Sequence, residues 1–196
     1  MEFQKVNIQP IEAQWLHNGQ LTLDVLRLDE LHPIISGNKW FKLQYYLHEA
    51  LELQKQTVAT FGGAWSNHII ATAFACKEAG LRSLGIIRGE EPKQLSPTLQ
   101  YAMDYGMKLH FVSRERYRNK QAVKAGISDT DHYWIDEGGF GLTGAKGASE
   151  ILQLVNSSTY SHIICAVGTG TMLAGLLIAA NEGQQLIGIS SMKGNL

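Results

Sequence analysis

Short apolar runs alternate with longer amphipathic stretches along most of the chain. The runs are rich in β-branched and aromatic residues, which favours strands, and they lie at 57–61, 84–87, 108–112, 132–135, 162–167 and 185–190. Segments with the pattern of helices lie between them, near 67–79, 97–105, 114–125, 143–155 and 172–181. Because strands that alternate with helices of about ten or more residues form βαβ units, the pattern predicts an α/β fold with a parallel sheet.

The N-terminal part of the chain has a less regular pattern. Residues 21–28 alternate between apolar and polar, which predicts a strand, and a loop follows at 29–38. Residues 39–54 then carry apolar side chains at positions i, i+3, i+7 and i+11, counted from Trp40. We therefore expect an amphipathic helix that begins at Lys39.

Glycine is enriched in this chain, with 20 residues among 196, whereas there are only 4 prolines. The usual shares are about 7% and about 5%. The glycines cluster directly after three predicted strands, in segments 62–68, 136–141 and 168–171. Ligands of open α/β sheets bind beyond the carboxyl ends of the strands, so these three turns are expected to line a ligand cleft.

Composition and charge exclude several classes of function. Lys and Arg number 17 against 18 Asp and Glu, so there is no basic excess for nucleic-acid binding. No apolar run approaches the roughly 20 residues of a membrane span, and the N-terminus lacks a signal-peptide pattern. The histidines and cysteines do not have metal-site spacing, and Cys76 and Cys165 lie in apolar runs. We expect a cytoplasmic protein that binds neither nucleic acid nor a membrane nor a catalytic metal.

The turn after the strand at 162–167 has the features of an anion site. Gly168, Thr169, Gly170 and Thr171 precede a predicted helix, where free N–H groups and the helix dipole favour a phosphate. Leu173 stands where a dinucleotide fingerprint requires Gly or Ala, and the chain has no Walker-type motif. A phosphate monoester on a small cofactor therefore fits better than NAD or ATP. The alternative is an ordinary tight turn.

Two further sets of polar residues lie at predicted helix starts. Ser66 and Asn67 can present side chains and N–H groups to an anionic ligand, or one of them can simply cap the helix. Lys39 lies in the first turn of its helix, where the helix dipole and Lys42 one turn later would lower its pKa. A neutral amine is what Schiff-base chemistry requires. The alternative is a solvated surface lysine.

Four segments match one known family in their order and spacing. They are 27–33 continuing into 36–43 (SGNKWFKL), 62–68 (GGAWSNH), the paired glycines 138–139, and 168–175 (GTGTMLAG). Together they resemble the 1-aminocyclopropane-1-carboxylate deaminase/D-cysteine desulfhydrase family. The resemblance implies pyridoxal 5'-phosphate (PLP) as cofactor. It also implies the two-domain, three-layer parallel-sheet architecture called fold type II, or tryptophan synthase β-like.

The resemblance implies roles for individual residues. Lys39 would bind PLP covalently as a Schiff base, and Asn67 would hydrogen-bond the oxygen at position 3 of the ring. Ser66 would contact the substrate carboxylate and take part in proton transfer. The substrate-binding set would be Ser66, Asn67 and His68. The set that holds the cofactor phosphate would be Gly168, Thr169, Gly170, Thr171 and Met172.

The implied activity is a PLP-dependent lyase or deaminase acting on a small amino acid. D-cysteine or 1-aminocyclopropane-1-carboxylate would yield ammonia and a 2-oxo acid, with sulfide as well from D-cysteine, and the D-cysteine type is favoured. Trp65 stands where the family often has Gln, and the resemblance implies that Phe140 lies in the loop that usually lines the substrate in this family. The alternatives are a catalytically silent protein that binds the cofactor or a small ligand, and an inactive fragment of the family.

The resemblance also implies how the chain is divided. A larger PLP-binding domain would consist of residues 1–40 and 144–196, and a smaller α/β domain would be inserted at 41–143. The family's late active-site tyrosine and the partner of the pyridine nitrogen fall beyond the point that matches Leu196. We therefore expect the larger domain to be incomplete in this sequence. Because family members are commonly homodimers, a homodimer is expected here too.

Overall fold

The structure is a computed structural model that describes residues 6–19, 21–127 and 131–191. Its strands are β1 (Ile8–Pro10), β2 (Asp24–Leu26), β3 (Thr57–Gly62), β4 (Arg82–Arg88), β5 (Met107–Val112), β6 (His132–Ile135), β7 (His162–Val167) and β8 (Gln185–Ser190). Its α-helices are α1 (Gln14–Asn18), α2 (Lys39–Glu52), α3 (Asn67–Glu78), α4 (Pro97–Asp104), α5 (Arg114–Tyr117), α6 (Lys120–Ala125), α7 (Leu142–Ser149) and α8 (Thr171–Ala179).

A four-stranded parallel sheet in the order β5-β4-β3-β6 forms the middle of the structure. Successive side chains of β3 point to opposite faces, and every residue of this strand is buried. Val58 packs with α2 and α3 on one face, whereas Phe61 packs with α5 and α6 on the other. The sheet is therefore covered on both faces, which is the usual condition of a parallel sheet.

A second parallel sheet consists of β7 and β8, and α2 lies between the two sheets. Leu43 and Leu47 of α2 belong to the core against β3, whereas Phe41 belongs to the core with α7, α8 and β7. α7 approaches α2 so closely that a Cβ on Gly147 would clash with the Phe41 carbonyl oxygen. Packing on two sides fixes α2, and with it the position of Lys39 at its first residue.

The expected fold class is confirmed, because the described residues form an α/β structure with parallel sheets. The division into a larger domain at 1–40 and 144–196 and a smaller one at 41–143 stays a prediction. Residues 192–196 of the larger unit lie outside the described residues. No helix in the described ranges is long and apolar enough to cross a membrane. Both cysteines are buried free thiols.

Three sequence-based expectations about elements were wrong in detail. The strand expected at 21–28 is only the short β2, which pairs antiparallel with the unexpected β1. The helix expected at 114–125 is divided into α5 and α6, because the Asn119 side chain accepts a hydrogen bond from Ala122 N at 3.0 Å and starts a new helix. The helix expected at 143–155 ends as an α-helix at Ser149 and continues as a 3₁₀ helix.

Candidate active site

Asn38 joins the start of α2 to the start of α8. The Lys39 ammonium donates a hydrogen bond to Asn38 Oδ1 at 3.0 Å, and Asn38 Nδ2 donates to Met172 Sδ at 2.8 Å. Asn38 and Met172 are 134 positions apart in the sequence. The structure therefore places Lys39 beside the turn at 168–172. The predicted roles of Lys39 in the Schiff base and of this turn in phosphate binding require that proximity.

Two lysines of α2 have lowered pKa values. Burial lowers the pKa of Lys39. The sequence-based expectation gave different causes for a lowered pKa, namely the helix dipole and the neighbouring Lys42. Burial, followed by the charge of Lys39, lowers the pKa of Lys42 to about 8. The Lys42 side chain is only 5% exposed. Within the described residues we find no hydrogen bond or ion pair that engages its ammonium, although most of the residue is buried.

His68 is buried one helical position beyond Asn67. Its Nε2 lies 2.8 Å from Thr60 Oγ1 on the neighbouring strand β3, and its Nδ1 has no hydrogen-bond partner in the described structure. Burial, followed by the charges of Lys39 and Lys42, lowers the pKa of His68 to about 3. The imidazole is therefore neutral at physiological pH. It lies beneath the surface, and its assignment to substrate binding stays a prediction.

Ser66 and Asn67 occupy the N-terminus of α3, directly after the turn that follows β3. Ser66 is the residue that precedes the helix, yet its hydroxyl does not accept a capping hydrogen bond. The capping alternative is therefore wrong for Ser66, whose side chain is half-buried, while Asn67 is exposed. Ser66 and Asn67 therefore stand at a helix N-terminus, which favours the binding of an anionic ligand.

The turn at 168–172 forms an open cradle of backbone groups. Gly170 has φ +81° and precedes α8 without providing a side-chain cap. Gly168 and Gly170 have open space where a side chain would stand, because no described atom apart from those of the glycine and its chain neighbours lies within 4 Å of that position. Thr169 Oγ1 and Thr171 Oγ1 are 3.0 Å apart, and Thr171 is buried. Uncapped N–H groups, hydroxyls and free space together suit an anion.

The paired glycines after β6 let the other parts of the site meet. A Cβ on Gly138 would lie 3.0 Å from Thr169 Cγ2. Gly139 has φ +71°, and its Cβ position lies 3.1 Å from Lys42 Cβ and 3.8 Å from His68 Cε1. A side chain at position 139 would push these elements apart. The structure therefore brings together α2, the start of α3, the 138–139 turn and the start of α8.

The comparison with protein families decides what kind of site this is. Residues 14–193 match the model of the pyridoxal-phosphate dependent enzyme family. The chain belongs to this family. The family resemblance and the fold type II architecture inferred from the sequence are thereby confirmed.

Relatives with curated names narrow the family. A Thermotoga maritima protein assigned as a 1-aminocyclopropane-1-carboxylate deaminase is 35% identical over 165 residues, which cover 77% of this chain and 52% of that protein. The Arabidopsis thaliana bifunctional D-cysteine desulfhydrase/1-aminocyclopropane-1-carboxylate deaminase is 30% identical over 167 residues, covering 74% of this chain and 42% of that protein. The chain thus spans about half the length of these relatives.

Solved structures agree with this placement. The crystal structure of an ACC deaminase homologue has a TM-score of 0.78 and 26% identity, covering 95% of this chain and 60% of that one. A fungal L-serine ammonia-lyase from Rhizomucor miehei has a TM-score of 0.74 at 12% identity, which shows the shared fold.

The site residues fit PLP on the evidence of the structure. A phosphate ester requires N–H donors, which the uncapped start of α8 in the 168–172 turn offers. An aldehyde requires an amine that is readily neutral, and burial favours that form of Lys39. Within the described ranges, no group of three or more His, Cys, Asp and Glu side chains could hold a metal ion.

The sequence did not reveal three contributors to the site. Asn38 is visible only as part of the SGNK segment, and its contact with Met172 depends on tertiary packing. Thr60 lies inside a strand, where nothing marks it as the partner of His68. In the sequence, Lys42 stands out only as a positive charge near Lys39. Its position one turn after Lys39, on the same side of the helix, was the available signal.

Proposed function

We propose that this protein is a PLP-dependent lyase or deaminase that acts on a small amino acid and releases ammonia and a 2-oxo acid. The observation that carries the proposal is the bridge from Lys39 Nζ through Asn38 to Met172, because it joins a half-buried amine to the glycine-rich turn that would bind an anion. D-cysteine and 1-aminocyclopropane-1-carboxylate are the candidate substrates, since relatives are named for these activities. D-cysteine is the one we favour.

The cofactor would be held from both ends. The N–H groups of 168–172 and the hydroxyls of Thr169 and Thr171 would bind the phosphate, with Lys42 as its counter-charge. Lys39 would bind the aldehyde carbon, and Asn67 would hydrogen-bond the ring oxygen. When bound, PLP supplies an electron sink for a carbanion at the substrate Cα.

The substrate would lie over the N-terminus of α3. Its carboxylate would bind at Ser66 and Asn67, where the helix dipole favours negative charge. The Ser66 hydroxyl, free of a capping bond, is available to carry a proton to or from the substrate. Trp65 is 72% exposed and Phe140 is 56% exposed, so both have accessible apolar surface that can contact a substrate side chain.

The remaining sequence-based expectations are retained as part of this proposal. The chain would consist of a larger domain at 1–40 and 144–196 and an inserted domain at 41–143, with the site between them. The enzyme would act in the cytoplasm as a homodimer. The packing of α2 against both sheets supports the division, since one helix then links the two units.

Absorbance spectroscopy tests the cofactor part of the proposal. The purified chain, supplied with PLP, should develop a visible absorbance band that is absent in Lys39→Ala. The matched control is Lys93→Ala, which removes an exposed lysine and should leave the band unchanged. We expect activity of Lys39→Ala to fall by about 1,000-fold or more. If the wild-type chain takes up no PLP, the proposal is wrong.

Product analysis then separates an enzyme from a silent binder. Incubation with D-cysteine should release sulfide, pyruvate and ammonia. 1-Aminocyclopropane-1-carboxylate should release ammonia and a 2-oxo acid without sulfide if it is also a substrate. A protein that binds PLP and turns over neither compound would support the alternative of a catalytically silent cofactor-binding protein.

A further inference from the structure

The hydrogen bonds of Thr60 determine the tautomer of His68. Thr60 Oγ1 donates its one proton to the Ile135 carbonyl oxygen at 2.8 Å. The same oxygen lies 2.8 Å from His68 Nε2, so it can only accept there. The proton of the neutral imidazole is therefore on Nε2, and Nδ1 carries a lone pair.

That lone pair has no partner in the described structure. Nδ1 is buried, and leaving a buried acceptor unpaired costs about 1–3 kcal/mol. Because burial and the two lysine charges lower the pKa of His68 to about 3, Nδ1 does not take up a proton at neutral pH. It acts as a hydrogen-bond acceptor and requires a donor.

Lys42 is the donor that the packing offers. Gly139 has no side chain, and its Cβ position lies 3.1 Å from Lys42 Cβ, 3.6 Å from Lys42 Cδ and 3.8 Å from His68 Cε1, the atom bonded to Nδ1. The other charged or titratable groups that influence this pair are Lys39 and Cys165. Lys39 already donates to Asn38. Lys42 has no such partner among the described residues, and its flexible four-carbon side chain can rotate to direct the ammonium toward Nδ1.

We propose that His68 Nδ1 accepts a hydrogen bond from the Lys42 ammonium and holds this cation beside the 168–172 turn. His68 is then a positioning residue, which acts on the cofactor phosphate through Lys42. The hydrogen bond between His68 and Lys42 would form in the apoprotein, without any cofactor. Its effect on the binding of the cofactor phosphate rests on the proposed function. A hydrogen bond to the charged form of Lys42 opposes the burial that favours the neutral form.

The tautomer can be measured without any substitution. The full chain without cofactor, labelled with ¹⁵N-histidine, should show a His68 resonance pair with a proton on Nε2 and none on Nδ1. The pair should not titrate between pH 5 and 8. His68→Gln identifies the resonances by their loss. A proton on Nδ1, or titration near the ordinary histidine pKa of about 6.5, would overturn the proposal.

The pKa of Lys42 tests the contact itself. His68→Gln keeps a donor for Thr60 Oγ1, because the amide nitrogen of Gln can replace Nε2, but it removes the Nδ1 acceptor. We expect the pKa of Lys42 in the apoprotein to fall by about 1, read by lysine side-chain NMR and assigned with Lys42→Met. His48→Gln removes an exposed histidine from α2, the helix that carries Lys42, and should leave the pKa of Lys42 unchanged. An unchanged pKa in His68→Gln would contradict the proposal, since a purely structural role of His68 would not move it.

PLP affinity tests what the contact does for the site. Because the pKa of Lys42 would be lower in His68→Gln, this variant would lose the Lys42 charge at a lower pH than wild type. Above pH 8, His68→Gln should therefore bind PLP about tenfold more weakly than wild type. Below pH 7 the difference should shrink. A pH-independent loss would mean that His68 supports only the fold. If the wild-type chain itself binds no PLP, the proposed function fails, while the apoprotein measurements still decide on the His68–Lys42 contact.

Discussion

Two turns of this molecule have the same topology but different packing. Segment 62–68 leads from β3 into α3, and segment 168–172 leads from β7 into α8. In the first turn, a Cβ on Gly62 would overlap the Ile69 side chain and come within 3.0 Å of Ser66 Oγ. In the second turn, the Cβ position of Gly168 has no described atom within 4 Å apart from those of the glycine and its chain neighbours. The turn at 62–68 is closely packed, whereas the turn at 168–172 is open.

In the proposed function, the two turns would bind different parts of a ligand. The packed turn fixes the backbone, so the ligand would contact the side chains of Ser66 and Asn67, which can differ between enzymes with different substrates. The open turn at 168–172 offers backbone N–H groups, which every substitution except one to proline leaves in place. A backbone cradle suits the constant phosphate of a cofactor, and a side-chain surface suits a specific substrate.

The largest expected effect comes from filling the open turn. In Gly168→Ala, a methyl group enters the space that the phosphate would occupy, so PLP affinity should fall by about 100-fold, measured by fluorescence titration. The free energy of unfolding of the apoprotein should stay within about 0.5 kcal/mol of wild type, because the new methyl group contacts nothing. Unchanged affinity would show that the phosphate does not bind in this turn.

The equivalent change in the packed turn should damage the fold instead. Gly62→Ala places a methyl group against Ile69, so the free energy of unfolding should fall by about 1–3 kcal/mol in chemical denaturation. Adding Ile69→Val should recover part of the loss by making room. If Gly62→Ala is as stable as wild type, the two turns do not differ in the way described.

Removing one hydroxyl from the open turn should have a smaller effect on the ligand. Thr171 is buried, and its Oγ1 lies 3.0 Å from Thr169 Oγ1. Thr171→Val keeps the shape of the side chain and would remove a hydrogen bond to the phosphate. The dissociation constant for PLP should therefore rise about tenfold. Thr159→Val, at an exposed site, is the matched control and should leave PLP affinity unchanged.

The smallest expected effect concerns the two serines that precede α3 and α4. Ser96 Oγ accepts a capping hydrogen bond from Leu99 N at 3.2 Å, whereas Ser66 makes no capping bond. Ser96→Ala should therefore reduce the free energy of unfolding by about 1 kcal/mol, and Ser66→Ala should change it by less than about 0.5 kcal/mol. Ser66→Ala should reduce turnover instead. Equal losses of stability would mean that Ser66 serves the helix and not the substrate.

Local features of the sequence predicted most of the elements. The strands at 132–135, 162–167 and 185–190 are found with the expected bounds, and α2 begins at Lys39 as expected. Side-chain periodicity and the chemistry of the turns act over a few residues, so a single sequence can show them. The division of α5 from α6 escaped prediction, because a single side-chain bond at Asn119 outweighed the helical pattern.

The candidate site was predictable in its parts but not in its electrostatics. Lys39, Ser66, Asn67 and the 168–172 turn could be named from motifs. The burial of Lys42 and of His68 could not, because it results from three elements that converge on Gly139 from distant parts of the chain. Desolvation is a property of the assembled structure, so the cause of the lowered lysine pKa values became visible only there.

The sequence by itself determined the α/β class, the order of the strands along the chain, and the three glycine-rich turns that are proposed to bind a ligand. Those features follow from local patterning and backbone preferences. Only the tertiary structure decided that Asn38 joins Lys39 to Met172 and that the turn after β3 is packed while the turn after β7 is open. It also brought the buried His68 close to Lys42. Each of these depends on packing between residues far apart in sequence, where contact, burial and charge act together.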